Sequence, residues 1–191
     1  MKYRCIKELS IDEYDEDGFA TGGWFIVPVG SIWEADESPH RIIGGNDTVH
    51  LDLITGGLKK QWMEILGNTL NDYFEPVNEE EYRCIALASH AVGLDHKKPY
   101  KRHGRYFYRP YRNYYDAGPD DCKTWEAMVS LGYAKTGKKD RYSDRKYLMT
   151  DNRDKTPKPV YDDYDGKIYW LTRKGLDWLG EKLGTYIHNE N

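Results

Sequence analysis

The chain has 191 residues and a formal net charge of −4, and aromatic residues make up 14% of it. It has no apolar run long enough to span a bilayer and no apolar stretch of a signal peptide at its N-terminus, so we expect a soluble, cytoplasmic protein with no membrane partner. Its three cysteines lie far apart and form no CxxC pair, which argues against both a disulfide framework and a cysteine zinc site.

The charge is divided unevenly along the chain. Residues 1–80 carry 6 Lys and Arg against 16 Asp and Glu, whereas the remainder carries 22 against 16. Such a shift in composition is typical of two domains with different surfaces. We therefore predict an acidic domain over residues 1–77 and a basic domain over residues 78–191.

The first half of the chain contains short segments rich in β-branched and aromatic residues. These segments are YRCIKEL, GFATGGWFIVPVGSIWEA, TVHLDLI and QWMEI, and Gly-rich turns separate them. About five short strands in so short a stretch predict a small β-barrel of the SH3-like type. A short helical turn is expected in GNTLNDYFEPV.

Acidic residues concentrate in the segment IDEYDEDG and again after the longest strand. The first group imitates the opening of a calcium loop, but Trp24 stands where the closing Glu should be, so the motif fails. The alternatives are a solvated acidic hairpin and a negative surface for a basic partner, with this chain's own basic half as one candidate. The residues of that acidic partner surface are Asp15, Glu16, Asp17, Glu34, Asp36 and Glu37.

Three helices are predicted in the second half. In NEEEYRCIALASHAVGL, Asn78 and Glu81 form a capping box and Gly93 ends the helix. A second helix is predicted in GPDDCKTWEAMVSLGYA, and a third, capped by Thr172, follows the strand KIYWL. The polar residues 135–165 between the last two helices predict a long hairpin or wing.

The segment 96–112, HKKPYKRHGRYFYRPYR, interleaves cations with aromatic rings and contains no acidic residue. Cations pair with phosphate and aromatic rings stack on bases, so this basic-aromatic segment is the candidate site for nucleic acid or another anion. We predict an extended ribbon, with an alternative in which its aromatic residues form core and its cations are merely solvated. The predicted anion contacts are Lys97, Lys98, Lys101, Arg102, Arg105, Arg109 and Arg112, and the predicted stacking residues are Tyr100 and Tyr108.

The order of a helix ending in LGYA, a polar hairpin and YWLTRKGLDWL resembles the second half of a winged-helix domain, over about residues 120–184. The resemblance implies DNA binding, although the helix TWEAMVSLGYA carries Glu126 and few side chains that read base edges. The fold class expected for the chain is α+β, with a small N-terminal SH3-like β-barrel followed by a winged-helix-like α+β domain.

The chain is also similar to small accessory proteins of bacteriophages and prophages. The similarity rests on GLDHKKPYKRHGRYFYRPYRNYY, on LTRKGLDWLGEKLG and on the N-terminal segment GFATGGWFIVPVGSIWEA. It implies a location in the host bacterial cytoplasm. It also implies a role in regulating transcription or in inhibiting a host defence, as anti-CRISPR proteins do.

No motif of a common enzyme class is found: there is no phosphate-binding Gly loop, no HExxH and no GxSxG. We therefore expect a non-enzymatic phage accessory protein, without metal or cofactor, that binds nucleic acid or a host nucleoprotein and inhibits a host defence. The alternatives are a winged-helix transcriptional regulator and a structural or oligomerisation module without a nucleic-acid role. A monomer and a homodimer are both compatible with the sequence.

Overall fold

The computed structural model describes residues 1–15, 17–38, 41–55, 61–138 and 167–188. These residues form a mixed α+β fold with four helices and thirteen strands, which confirms the predicted α+β class. In chain order the elements are β1 (Lys2–Cys5), β2 (Leu9–Tyr14), β3 (Ala20–Val27), β4 (Ile32–Asp36), β5 (Thr48–Leu53), β6 (Trp62–Leu66), α1 (Gly67–Tyr73), β7 (Phe74–Val77), α2 (Glu79–Val92), β8 (Tyr100–Arg102), β9 (Arg105–Tyr108), β10 (Tyr115–Ala117), α3 (Pro119–Ser130), β11 (Ala134–Lys138), β12 (Lys167–Leu171), α4 (Arg173–Lys182) and β13 (Thr185–Ile187).

Two sheets build the first half. An antiparallel sheet has the strand order β6-β5-β4-β1-β7, and β2 and β3 form a separate hairpin. Side chains alternate across the hairpin, as they do in any strand. Phe25 and Val27 face inward and join a core with Trp33 and Leu51, while Trp24 remains exposed.

The expected closed barrel is not found, since none of the sheets in the described residues closes on itself. Among these strands, β7 pairs with β1 and β6 pairs with β5, so both remain edges of the five-stranded sheet. The apolar faces are instead buried by packing the β2–β3 hairpin against the sheet, in the manner of a sandwich.

The second half surrounds its own core with α2, α3 and α4. Trp125 and Tyr169 are among the large buried side chains there, and their rings stack with centroids 5.3 Å apart. The predicted cap of α2 is confirmed, because Asn78 Oδ1 accepts a hydrogen bond of 2.8 Å from the backbone N–H of Glu81. Gly93 ends the helix in the left-handed region, with φ of 81°.

Two three-stranded sheets flank these helices. One is antiparallel, with the order β10-β12-β11, and the other has the order β13-β9-β8, in which β13 runs parallel to β9. Pairing of β11 with β12 forms the base of the predicted hairpin over residues 135–165. The rest of that hairpin lies outside the described residues.

The acidic and basic halves are in contact. Ile32 and Ile54 of the first half pack into the core of the second. Gly30, with φ of 86°, approaches the backbone of Leu183 so closely that no side chain fits between them. The two halves therefore share a packed interface as well as a peptide link.

Candidate nucleic-acid interface

The basic-aromatic segment forms a β-hairpin across β8 and β9. His103 and Gly104 both have positive φ, 51° and 75°, which is the conformation of a two-residue type I′ turn. The turn sets Tyr100 opposite Phe107 and Arg102 opposite Arg105. The extended ribbon predicted from the sequence is thus a hairpin, and β13 continues it into a sheet.

The pleat of this sheet sorts the side chains onto two faces. Tyr108 and Ile187 are paired neighbours on the inward face, and both are fully buried in the core. The residues that alternate with these along each strand point to the outward face of the sheet, which we call the aromatic face. Its members are Tyr100, Arg102, Arg105, Phe107, Tyr186 and His188.

The rings of the aromatic face touch one another across all three strands. Tyr100 stacks on Phe107 with centroids 5.8 Å apart and planes inclined by 23°. Phe107 also meets Tyr186 edge-on at 6.0 Å and His188 at 6.1 Å. Tyr100 and Tyr186 are 47% and 53% exposed, so this row of aromatic rings is open to a ligand.

Unpaired cations accompany the rings. Arg102 and Arg105 are exposed on the aromatic face, and Lys98 and Arg109 are exposed just outside the hairpin. Their side chains make no hydrogen bond or ion pair with any residue that the structure describes. Four positive groups are therefore available to an anion close to the aromatic row.

Two of the predicted cations are held by the protein itself. Lys101 lies on the inward side of the sheet, with its Nζ 3.5 Å from a carboxylate oxygen of Glu8 and over the ring of Tyr106. Lys97 donates a hydrogen bond of 3.1 Å to the carbonyl of Arg109. Their charges still contribute to the local field, but neither lies on the aromatic face.

Two other predicted contacts are corrected by their surroundings. Tyr108 cannot stack on a base, because its ring is fully buried and its hydroxyl donates to the carbonyl of Val92 at 2.9 Å. Arg112 donates to the carbonyl of His90 at 2.7 Å, in the last turn of α2. A cation there adds a second donor to a helix-end carbonyl that also accepts from the backbone N–H of Gly93, and it complements the helix dipole, which is a structural role.

The predicted acidic surface is split between two places. Asp15 closes the turn of the β2–β3 hairpin by accepting hydrogen bonds from the backbone N–H of Asp17 and of Phe19. Glu34 lies on β4, 3.6 Å from Lys2. The remaining members are Glu16, which lies outside the described residues, Asp36, which accepts from the backbone N–H of Ser38, and Glu37, which is exposed.

The loop after β4 wraps around a buried carboxylate on β6. Glu64 accepts hydrogen bonds from three consecutive backbone N–H groups, those of Ile42, Ile43 and Gly44, and contacts His50 Nδ1 at 3.0 Å. Burial alone would raise the pKa of Glu64, but these donors outweigh it and lower the pKa to about 2. The charged carboxylate therefore fixes this loop.

Among the described residues, no group of three or more His, Cys, Asp and Glu side chains is arranged to hold a metal ion. In the same part of the chain, no helix combines the length and the apolar character that crossing a membrane requires.

Sequence reasoning missed three members of the aromatic face, namely Phe107, Tyr186 and His188. The signal for the last two was the alternation in TYIH, where Thr185 and Ile187 are buried while the residues between and after them face outward. A strand that short was not predicted. Its pairing beside β9 depends on the chain reversal after α4, which periodicity alone does not specify.

Comparison with protein-family models, with curated proteins and with solved structures gives no significant match.

Proposed function

We propose that the protein binds single-stranded nucleic acid, without catalysis, through the aromatic face. The observation that carries this proposal is the row of contacting rings, Tyr100, Phe107 and Tyr186, across one exposed sheet face. The same face bears Arg102 and Arg105, whose side chains pair with no residue that the structure describes. An open aromatic sheet face flanked by cations is the arrangement on which unpaired bases stack while their phosphates meet positive charge.

The rings favour a single strand over a duplex. Bases in a duplex are stacked on each other, so their flat faces are not available to Tyr100 or Tyr186, whereas those of a single strand are. Each base stacked on an aromatic side chain contributes about 1–3 kcal/mol, largely without sequence preference. Inhibition of a nucleic-acid-dependent host defence, which the phage resemblance suggests, would use this same face.

We also propose that the two halves are an SH3-like unit and a winged-helix-like unit. The order β6-β5-β4-β1-β7, with a hairpin between its first two strands in sequence, supports an SH3-like unit that is opened rather than closed. The order β10-β12-β11, with α3 before β11 and α4 after β12, supports a winged-helix-like unit.

That second unit gives the alternative function, a duplex-DNA regulator in which α3 enters the major groove. The surface of α3 opposes it, because Asp120 and Asp121 lie in its first turn and would meet phosphate. Glu126 is held by Lys167 Nζ at 2.7 Å and by the hydroxyl of Tyr169 at 2.9 Å, so it is part of the packing with β12. We therefore propose the aromatic face, rather than α3, as the nucleic-acid-binding site.

The test is fluorescence anisotropy with labelled single-stranded DNA, single-stranded RNA and duplex DNA, from about 50 to about 300 mM salt, where phosphate contacts weaken visibly. We expect tighter binding to single strands and a slope of log K against log salt near −3, from about 0.7 for each of four cations. The variant Arg102→Glu with Arg105→Glu should abolish binding.

A matched control carries the same charge change elsewhere, at the exposed residues Lys123 on α3 and Lys135 on β11. Lys123→Glu with Lys135→Glu should leave single-strand binding unchanged. Loss of binding in this control with retention in the arginine variant would overturn the proposal in favour of the duplex reader. Absence of binding to all three ligands at low salt would overturn both.

A further inference from the structure

The β2–β3 hairpin carries an exposed surface that the proposed function does not use. Trp24 and Ile26 lie on its outer face and are 71% and 51% exposed. Beside them are four carboxylates that pair with no cation in the described residues. These acidic groups, which with Trp24 and Ile26 form what we call the acidic hairpin surface, are Asp12, Glu13, Asp15 and Asp17.

The aromatic face is complementary to this surface in charge and in chemistry. It offers half-exposed rings with Arg102 and Arg105, and Lys98 and Arg109 lie just outside the hairpin; none of these four cations pairs with a residue that the structure describes. Arginine guanidinium groups pair with carboxylates and stack on indole rings, so an exposed Trp24 among acids suits them on both counts. Each surface has the composition that the other would bind.

The acidic turn of the hairpin lies at the far end of β2 from the contact with β8. Lys101 contacts Glu8, which places β8 beside the beginning of β2. From there β2 continues for six residues, so the acidic turn lies about 17 Å from the start of β2 at the usual rise of a strand. No ion pair joins the acidic hairpin surface to the aromatic face in the described residues.

We infer that two copies of the chain associate reciprocally, with the acidic hairpin surface of each docked on the aromatic face of the other. A two-fold arrangement forms both contacts at once and closes, whereas a single contact would continue into an open chain. Trp24 is the anchor, since tryptophan is enriched among interface hot spots and this exposed ring would be buried against the partner.

Dimerisation and nucleic-acid binding should exclude each other, a consequence that rests on the proposed function. The dimer covers the aromatic face, so the acidic hairpin surface competes with nucleic acid for the same cations. Single-stranded nucleic acid should convert the dimer into protein–nucleic acid complexes that contain monomers. Raising the salt concentration should dissociate the dimer as well, because the contacts are between exposed charges.

The test is a charge exchange followed by sedimentation velocity of the full chain at low salt. One variant is Asp12→Lys with Asp17→Lys, which spares Asp15 because that carboxylate closes the hairpin turn. The other is Arg102→Glu with Arg105→Glu. Each variant alone should be monomeric, and an equimolar mixture should form a heterodimer, since both reciprocal contacts are then oppositely charged again.

The matched control is Asp72→Lys with Glu80→Lys, two exposed acids with the same total charge change. It should dimerise like the wild type. A wild type that stays monomeric at every concentration, or variants that fail to pair when mixed, would overturn the inference.

Failure of this inference and failure of the proposed function are separable by two readouts. A monomeric wild type that still binds oligonucleotide through Arg102 and Arg105 would retain the function and lose the dimer. If the charge-exchanged variants pair but the protein binds no oligonucleotide, the dimer is retained and the proposed function is wrong. If both hold, the variant Asp12→Lys with Asp17→Lys should bind oligonucleotide at least as tightly as the wild type.

Discussion

Tyr100 and Phe107 stack across the β8–β9 hairpin at 5.8 Å, directly opposite each other in the strand register. The pairing is set by a turn that needs positive φ at two adjacent residues, and His103 with Gly104 supplies it. Because Phe107 also supports Tyr186, one ring holds the two exposed ones in fixed positions. The rings of the aromatic face are therefore already in mutual contact in the free chain, which would lower the entropic cost of the proposed binding.

The first prediction concerns the two exposed rings. Tyr100→Ala and Tyr186→Ala should each weaken binding to single-stranded oligonucleotide by about 1–3 kcal/mol, or roughly 5-fold to 150-fold, because each removes one stacking surface. The measurement is an anisotropy titration at constant salt. Tyr100→Phe keeps the ring and should bind like the wild type.

Two results would separate stacking from other roles of these residues. If Tyr100→Phe binds as weakly as Tyr100→Ala, the hydroxyl rather than the ring is responsible and the stacking assignment is wrong. The thermal midpoint of each variant shows whether the sheet is intact, since neither ring is buried in the core.

The second prediction separates the cation at Arg112 from the cation at Arg105. Arg112→Ala removes one of the two donors to the carbonyl of His90, so it should lower the free energy of unfolding by about 1 kcal/mol and leave the salt slope of binding unchanged. Arg105→Ala should leave stability nearly unchanged and reduce the salt slope by about 0.7. Urea unfolding and salt-dependent titrations measure the two effects, and a changed slope in Arg112→Ala would return that residue to the interface.

Much of the fold follows from local signals in the sequence. The capping residue Asn78 and the terminal Gly93 define α2 because they satisfy the ends of the helix by themselves. Strands of the first half were recognisable from composition, but barrel closure was not, because it depends on which edges meet. In the described residues, the edge strands β6 and β7 of the five-stranded sheet do not pair with each other.

The candidate site was predictable in composition and not in orientation. The sequence predicted Tyr100, Arg102 and Arg105 as contacts, and these lie exposed on the aromatic face. Tyr108 and Arg112 have the same residue types but face the core or a helix end. Period-two alternation divides the hairpin into two faces, but only the packing of β13 and the helices decides which face is buried. Residues of the aromatic face that lie on β13 are distant in sequence and required the fold.

The third prediction concerns the buried carboxylate of Glu64. Glu64→Ala leaves three backbone N–H groups without their acceptor, so it should lower the free energy of unfolding by roughly 3 kcal/mol at neutral pH. Asp72→Ala, at an exposed site on α1, should cost much less. Urea unfolding of both variants makes the comparison, and equal effects would contradict a structural role for the carboxylate.

The lowered pKa of Glu64 also predicts how the free energy of unfolding changes with pH. The pKa of Glu64 is about 2 in the folded chain and near 4.5 for an ordinary Glu, so the unfolded chain binds the proton more readily. The contribution of Glu64 is therefore complete above about pH 4.5 and is lost as the pH falls towards 2. Glu64→Gln should flatten the stability profile within this window, which urea midpoints measured between about pH 5 and about pH 3 would reveal.

The fourth prediction tests the interface between the two halves with a pair of glycines. Gly30 and Gly22 both have positive φ, 86° and 77°, so Ala costs about 1 kcal/mol in backbone strain at either position. A methyl group at Gly30 would in addition overlap the backbone of Leu183, whereas nothing lies within 4 Å of one at Gly22. The difference between the two variants therefore measures the contact between the halves alone.

We expect Gly30→Ala to destabilise the chain by several kcal/mol more than Gly22→Ala, because backbone atoms cannot move aside as a flexible side chain can. Thermal unfolding followed by near-ultraviolet circular dichroism is a suitable measurement, since Trp33 reports on one core and Trp125 on the other. Coincident transitions in the wild type and separated ones in Gly30→Ala would show that this contact couples the two cores. Equal midpoints for the two variants would mean that the halves are held together elsewhere, with Arg4, whose guanidinium donates to the carbonyl of Lys182, as the next residue to change.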